Sequence, residues 1–192
     1  MHWLLFSAPS VFVVAHGGLV LSLIFIALSV FAYIYIRPGE QFERTMRKLL
    51  LSFVVAQFVL AAYLTLAQYD SFFAPFRAAH YFVLYAAIHF GLPLMLGIIV
   101  SGLWYGFLLL LRNYSERYFD RGEVELSALM VLALGWPLAL VLVPFAGVIL
   151  IILSLVRLLV FKRQYTTLGI PFMLAAILLI TLQRFIRPYF GL

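Results

Sequence analysis

Two histidines, His16 and His89, are the side chains in this sequence best placed to hold a ligand. Each lies inside a long apolar run and beside small residues, Gly17-Gly18 after the first and Gly91 just after the second. Small neighbours let a flat macrocycle approach the backbone, and paired imidazoles are common axial ligands of a buried haem. The pair therefore points to a haem or another tetrapyrrole, bound by an electron-transfer subunit. The opposing reading is two isolated polar groups that hydrogen-bond inside a helical bundle. A second pattern, Gly97, Ser101, Gly102 and Gly106, follows small-xxx-small spacing and suits close helix packing, against another subunit or within the chain. Gln57, in the middle of an apolar run, reads as polar glue of the same kind.

The elements that must position these residues are set by composition. Hydrophobic residues make up 66% of the 192 positions and charged residues 10%. A water-facing surface cannot be built from such a chain. One crossing of a bilayer's roughly 30 Å hydrocarbon core takes about 20 apolar helical residues, and the apolar runs here reach that length. The runs do not alternate, which excludes a β-barrel. The expectation is an all-α, polytopic transmembrane bundle forming a single domain over residues 1–192, with membrane lipid as its solvent. The net charge of +6 is assigned to flank charges that set topology rather than to nucleic-acid binding. The absence of cysteine removes disulfides, thiol catalysis and thiolate metal sites. A basic lead of the signal-peptide type is absent before the first apolar run.

Six spans are expected. The first covers about 11–36, ended by Arg37-Pro38-Gly39, and the second about 49–67, after a loop carrying Arg37, Arg44, Arg47 and Lys48. An interfacial segment rich in phenylalanine follows Asp70. The third covers about 81–111 and contains Gly91 and Pro93, which kink, tilt or break it. The run 126–161 is too long for one helix. Gly135-Trp136-Pro137 is its natural break, with Pro144 the second candidate, so a short helix and a full span are expected there. The last span covers about 170–186. A single tilted helix over 126–161 would make the count five. An outward N-terminus puts the basic loops after residues 36, 111 and 161 in the cytoplasm. His16 and His89 then lie at comparable depth in the outer half.

The acids sit at span ends. Asp70 follows the second span, and Gly122-Glu123-Val124-Glu125-Leu126 opens the fourth run, followed by Gly135-Trp136 and by Ile170-Pro171-Phe172. Over about residues 70–180 this order resembles the C-terminal half of type IV prepilin peptidases, which are intramembrane aspartic proteases. The resemblance implies catalytic acids at Asp70 and Glu123. It departs from the family in four places. Glu123 stands for the second aspartate, Glu125 stands for a lysine, the proline after Asp70 is two residues closer, and no cysteine-rich loop is present. One long run separates the two acids, so the expected topology puts them on opposite faces, where they cannot share a proton or activate one water.

HExxH and P-loop motifs are absent, and Ile99 stands where a rhomboid-type serine motif needs glycine. The expected function is a non-catalytic integral subunit of a larger complex in a bacterial or organellar inner membrane, needing no cofactor or metal. The alternatives are a haem- or pigment-binding subunit using His16 and His89, and a variant or inactive peptidase-like protein using Asp70 and Glu123.

Overall fold

The computed structural model describes the backbone at residues 8–36, 39–69, 79–114, 120–161 and 168–186, with side chains throughout these except at 8–16, 79–80, 160–161 and 183–186. Every regular element among the described residues is helical. Helix α1 covers Ala8–Tyr35 and α2 covers Glu40–Tyr69. Then α3 (Ala79–Ala86), a π turn (Ala87–Gly91) and α4 (Leu92–Tyr114) form one continuous rod. Helix α5 covers Glu123–Leu134, α6 covers Leu138–Val156 with a π turn at Arg157–Phe161, and α7 covers Gly169–Ile186. Four helices are long and apolar enough to cross a membrane: Gly17–Tyr35, Glu40–Tyr69, Tyr81–Tyr114 and Leu138–Leu159.

Three details differ from the sequence reading. Helix α2 begins at Glu40, so Arg44, Arg47 and Lys48 lie on helix rather than on a loop. Two acids in its first turn, Glu40 and Glu43, complement the helix dipole and pair with Arg44 and Arg47 one turn on. The rod over 79–114 neither breaks nor folds back at Gly91 and Pro93. Pro93 has no N–H to offer the carbonyl four residues before it, and the chain widens by one residue ahead of it, with the Leu92 N–H bonding the Ala87 carbonyl. Pro144, exposed on α6, does not break its helix either.

The expected break at Gly135-Trp136-Pro137 is present. Gly135 has φ +65°, its N–H caps α5 on the Val131 and Leu132 carbonyls, and the Trp136–Pro137 peptide is cis. With 12 residues, α5 is only about 18 Å long, short of the hydrocarbon thickness. It is also the centre of the molecule. Its side chains from Glu123 to Ala133 are all buried, against α1, α2, α4, α6 and α7. Because α7 starts beside Glu123, α6 runs back from the turn towards the charged end.

Packing around α5 uses small residues and hydroxyls. Gly97 of α4 lets the turn approach, a Cβ there lying 3.7 Å from the Gly135 Cα. Ser101 donates to the Ala128 carbonyl at 2.8 Å, and Ser22 of α1 donates to the Ala133 carbonyl. Between apolar helices in lipid, such contacts replace the hydrophobic effect as the source of specificity. Gly97→Ala should therefore be nearly silent, and Gly97→Leu should prevent assembly of the bundle. Ser101→Ala should lower the unfolding free energy by about 1 kcal/mol. Unfolding in a mild detergent titrated with a denaturing one measures all three.

Candidate functional site

The charged residues of α2, α4, α5 and the start of α7 gather at one end of the bundle, and Glu123 is at its centre. Glu123 is wholly buried. Its carboxylate accepts hydrogen bonds from the main-chain N–H groups of Asp120 (3.2 Å), Leu168 (3.2 Å) and Gly169 (3.0 Å). Two of these donors open α7, where N–H groups have no intrahelical acceptor. Glu123 also stands in the first turn of its own helix. Two helix N-termini thus converge on one anion, the arrangement the helix dipole favours.

Two glycines make this approach possible. Gly122 has φ +92°, and a Cβ there would run into the Phe42 ring and come 3.0 Å from the Glu43 nitrogen. At Gly169 a Cβ would lie 2.9 Å from Tyr33 and 3.0 Å from the Glu123 Oε1. Glycine at 169 is what allows α7 to start against the carboxylate.

Glu125, only 1% exposed, faces the other way. Its Oε1 accepts from the Tyr105 hydroxyl at 3.4 Å and lies 3.6 Å from the Arg47 guanidinium. Its Oε2 has no hydrogen-bond partner among the described residues. Arg47 also pairs with Glu43 at 3.1 Å, Glu43 with Arg112 at 3.8 Å, and Glu40 with Arg121 at 3.1 Å and Arg44 at 3.5 Å. Glu40, Glu43, Arg44, Arg47 and Arg121 line a surface pocket of about 300 Å³. Apart from the Arg and Lys positions, this network is absent from the sequence reading. Its readable signal was the i, i+4 spacing of Glu40–Arg44 and Glu43–Arg47.

The carboxylate geometry bears on acid–base chemistry. A general acid or base needs an oxygen free to exchange a proton with water or substrate. Both Glu123 oxygens accept from main-chain N–H groups, which holds the carboxylate as an acceptor. Asp70 lies outside the described residues. Tyr69, which ends α2, is about 40 Å along that helix from Phe42, the residue that packs on Gly122.

The His16 side chain also lies outside the described residues, while His89 is exposed on the π turn. Its Nδ1 is 3.1 Å from the Tyr85 carbonyl, and its ring stacks on Tyr85 at 4.1 Å. His89 borders a cavity of about 200 Å³ shared with Gly18, Gln57, Phe90, Pro93, Gly97, Gly135 and Trp136. The small-residue pattern divides in two. Gly97 and Ser101 pack inward on α5, whereas a Cβ at Gly102 or Gly106 would meet nothing within 4 Å. No group of three or more metal-ligating side chains occurs among the described residues.

If Glu123 is a staple between α5 and α7, its loss leaves buried main-chain donors without an acceptor. Each such donor costs about 1–3 kcal/mol. Glu123→Gln, which keeps one carbonyl oxygen, should destabilise by roughly that amount, and Glu123→Leu by several times more. Thermal unfolding in detergent reads both, and wild-type stability in the two variants would rule the staple out.

No protein-family model, curated protein or solved structure matches the chain, so its resemblance to the prepilin peptidases is carried by the short motifs alone.

Proposed function

We propose that the chain is a non-catalytic integral subunit of a larger complex in a bacterial or organellar inner membrane. The observation that carries this reading is the commitment of Glu123, the acid the peptidase resemblance nominates, to main-chain donors of two helices. The other described acids at that end are each held by arginine or exposed at the rim: Glu40, Glu43 and Glu125 by Arg44, Arg47, Arg112 and Arg121, with Asp120 on the surface. A chain of this kind has buried charge that shapes the bundle and none set aside for a reaction.

The partner surface in this reading is the outer side of α4. Gly102 and Gly106 form a shallow seam there, flanked by exposed Ile99, Leu103, Phe107 and Leu110. A second helix can approach such a seam closely, without side chains between the backbones. The charged end, with Arg44, Arg47, Lys48, Arg112 and Arg121, faces the cytoplasm by the positive-inside rule, which places the N-terminus outside. Six segments then enter the bilayer: α1, α2, the rod and α7 as spans, and α5 with α6 as a hairpin whose turn does not reach the far side.

Purification in mild detergent tests the proposal. The expected result is a stoichiometric partner chain that is lost in the Gly102→Leu/Gly106→Leu double variant, with no Soret absorbance. Asp70→Asn and Glu123→Gln should leave any prepilin-type substrate uncut to the same degree as wild type. A monomer that cleaves such a substrate, with Asp70→Asn inactive, overturns the reading in favour of the peptidase. A Soret band lost in His89→Ala overturns it in favour of the pigment subunit.

A further inference from the structure

The cavity beside His89 has a mostly apolar wall that carries two polar side chains, Gln57 and His89. Gln57 lies nine residues, or about 14 Å, beyond Lys48 on α2, half the thickness of a hydrocarbon core. Gly135 lies ten residues beyond Glu125 on α5, at a similar level. The Gly135-Trp136-Pro137 turn therefore stands near mid-depth, where non-helical backbone is tolerated against protein or a cavity. Both are present: α4 packs against the turn through Gly97, and the cavity opens beside that contact.

Three features of the cavity define what fills it. First, the Gln57 side-chain amide has no hydrogen-bond partner among the described residues. An amide so placed carries a substantial desolvation cost until something bonds it. Second, the Nδ1 of His89 faces a carbonyl, which can only accept, and in the tautomer that bonds it Nε2 is left as an acceptor. Third, the wall contains aromatic rings, Trp136 and Phe90, and no Asp or Glu lines it among the described residues. The mouth, between α2 and the π turn, is edged by exposed His89 and Pro93 and by half-buried Ala61.

We infer that this cavity binds the ring of a membrane-soluble quinol. One hydroxyl donates to His89 Nε2, and the oxygen at the opposite end of the ring accepts from the Gln57 amide. The ring lies against Trp136 and Phe90, and any tail leaves through the lateral mouth into the bilayer. A cation is disfavoured by the lack of a carboxylate. The volume, about 200 Å³, is below the roughly 300–1,000 Å³ of pockets that enclose a whole drug-sized ligand, and it suits a single ring. The site is separate from the Glu123 end and from the Gly102–Gly106 seam, so it stands whether or not the chain is a complex subunit.

Room for the ring comes from Gly18, where a Cβ would meet nothing within 4 Å on an ordinary stretch of helix. Gly18→Leu should fill the cavity without straining the backbone. The test is calorimetric titration of the purified full chain, in mild detergent, with decyl-ubiquinol and with its dimethyl ether, whose oxygens cannot donate. Saturable 1:1 binding of the quinol is expected, with the ether bound at least about tenfold more weakly. Gln57→Leu and Gly18→Leu should reduce quinol affinity by a similar factor while keeping the wild-type melting temperature. Equal affinity for quinol and ether, or no saturable binding, overturns the proposal. So does undiminished quinol binding in Gln57→Leu. The ether comparison needs no variant, so a Gly18→Leu chain that fails to fold leaves the test intact.

Discussion

A single buried carboxylate sets the position of everything else in this bundle. Glu123 sits in the first turn of α5 and accepts from the two N–H groups that open α7. Those donors would otherwise be unsatisfied inside apolar protein, where each orphan is expensive. The anion and the two helix ends therefore stabilise one another. The fit is tight enough to dictate glycine at 122 and at 169, since any side chain would meet Phe42 or Tyr33. Once α5 and α7 start at the same point, α6 has to come back to it, and the order of the last three helices follows.

That anchoring places a fully buried helix at the centre of a membrane-type bundle. A 12-residue helix with nothing but protein around it contributes no lipid-facing surface, so it need not match the bilayer's thickness. Its short length leaves its C-terminal turn well inside the molecule. Serines supply directionality there: Ser22 and Ser101 each donate to a carbonyl of α5. At the opposite end, Arg47 reaches both Glu43 and the buried Glu125. Removing a partner from a buried charge costs more than the pair contributes. The arginines of α2 thus hold α5 in register as well as marking the membrane boundary.

How much of this could be read from residues alone depends on what each residue type distinguishes. Gly135-Trp136-Pro137 was legible as a break, because a glycine and a proline two apart oppose continued helix. The start of α2 was not: Arg44, Arg47 and Lys48 looked like a loop because charge clusters usually are, and only their pairing with Glu40 and Glu43 marks a helix. Gly91 and Pro93 announced a disturbance in the third span but not its form, a π turn that keeps the rod continuous. Glu123 is the most instructive case. A glutamate after glycine at the head of a helix has the same letters whether it is a catalytic acid or a cap. Which it is depends on Leu168 and Gly169, some 45 residues away, and no local pattern reports them. Likewise, beyond its first turn α5 has no polar stripe, so periodicity could not separate a buried half-helix from a lipid-exposed span.

The same reasoning explains why the interior of this bundle is not uniformly greasy. A helix that stops half-way exposes its last carbonyls and a turn to whatever surrounds it. Gly135 answers part of that need by folding its N–H back on Val131 and Leu132, and Ser22 takes up the Ala133 carbonyl. Close approach of Gly97 to the turn fills part of the space around it, but the same smallness at Gly18 leaves the rest open. Gln57 and His89 project where that space remains. Polar side chains at such a depth are retained only when the fold or a ligand satisfies them. The Gln57 amide has no partner among the described residues, so the short reach of an α5 stapled at Glu123 leaves a polar group facing the cavity at its other end.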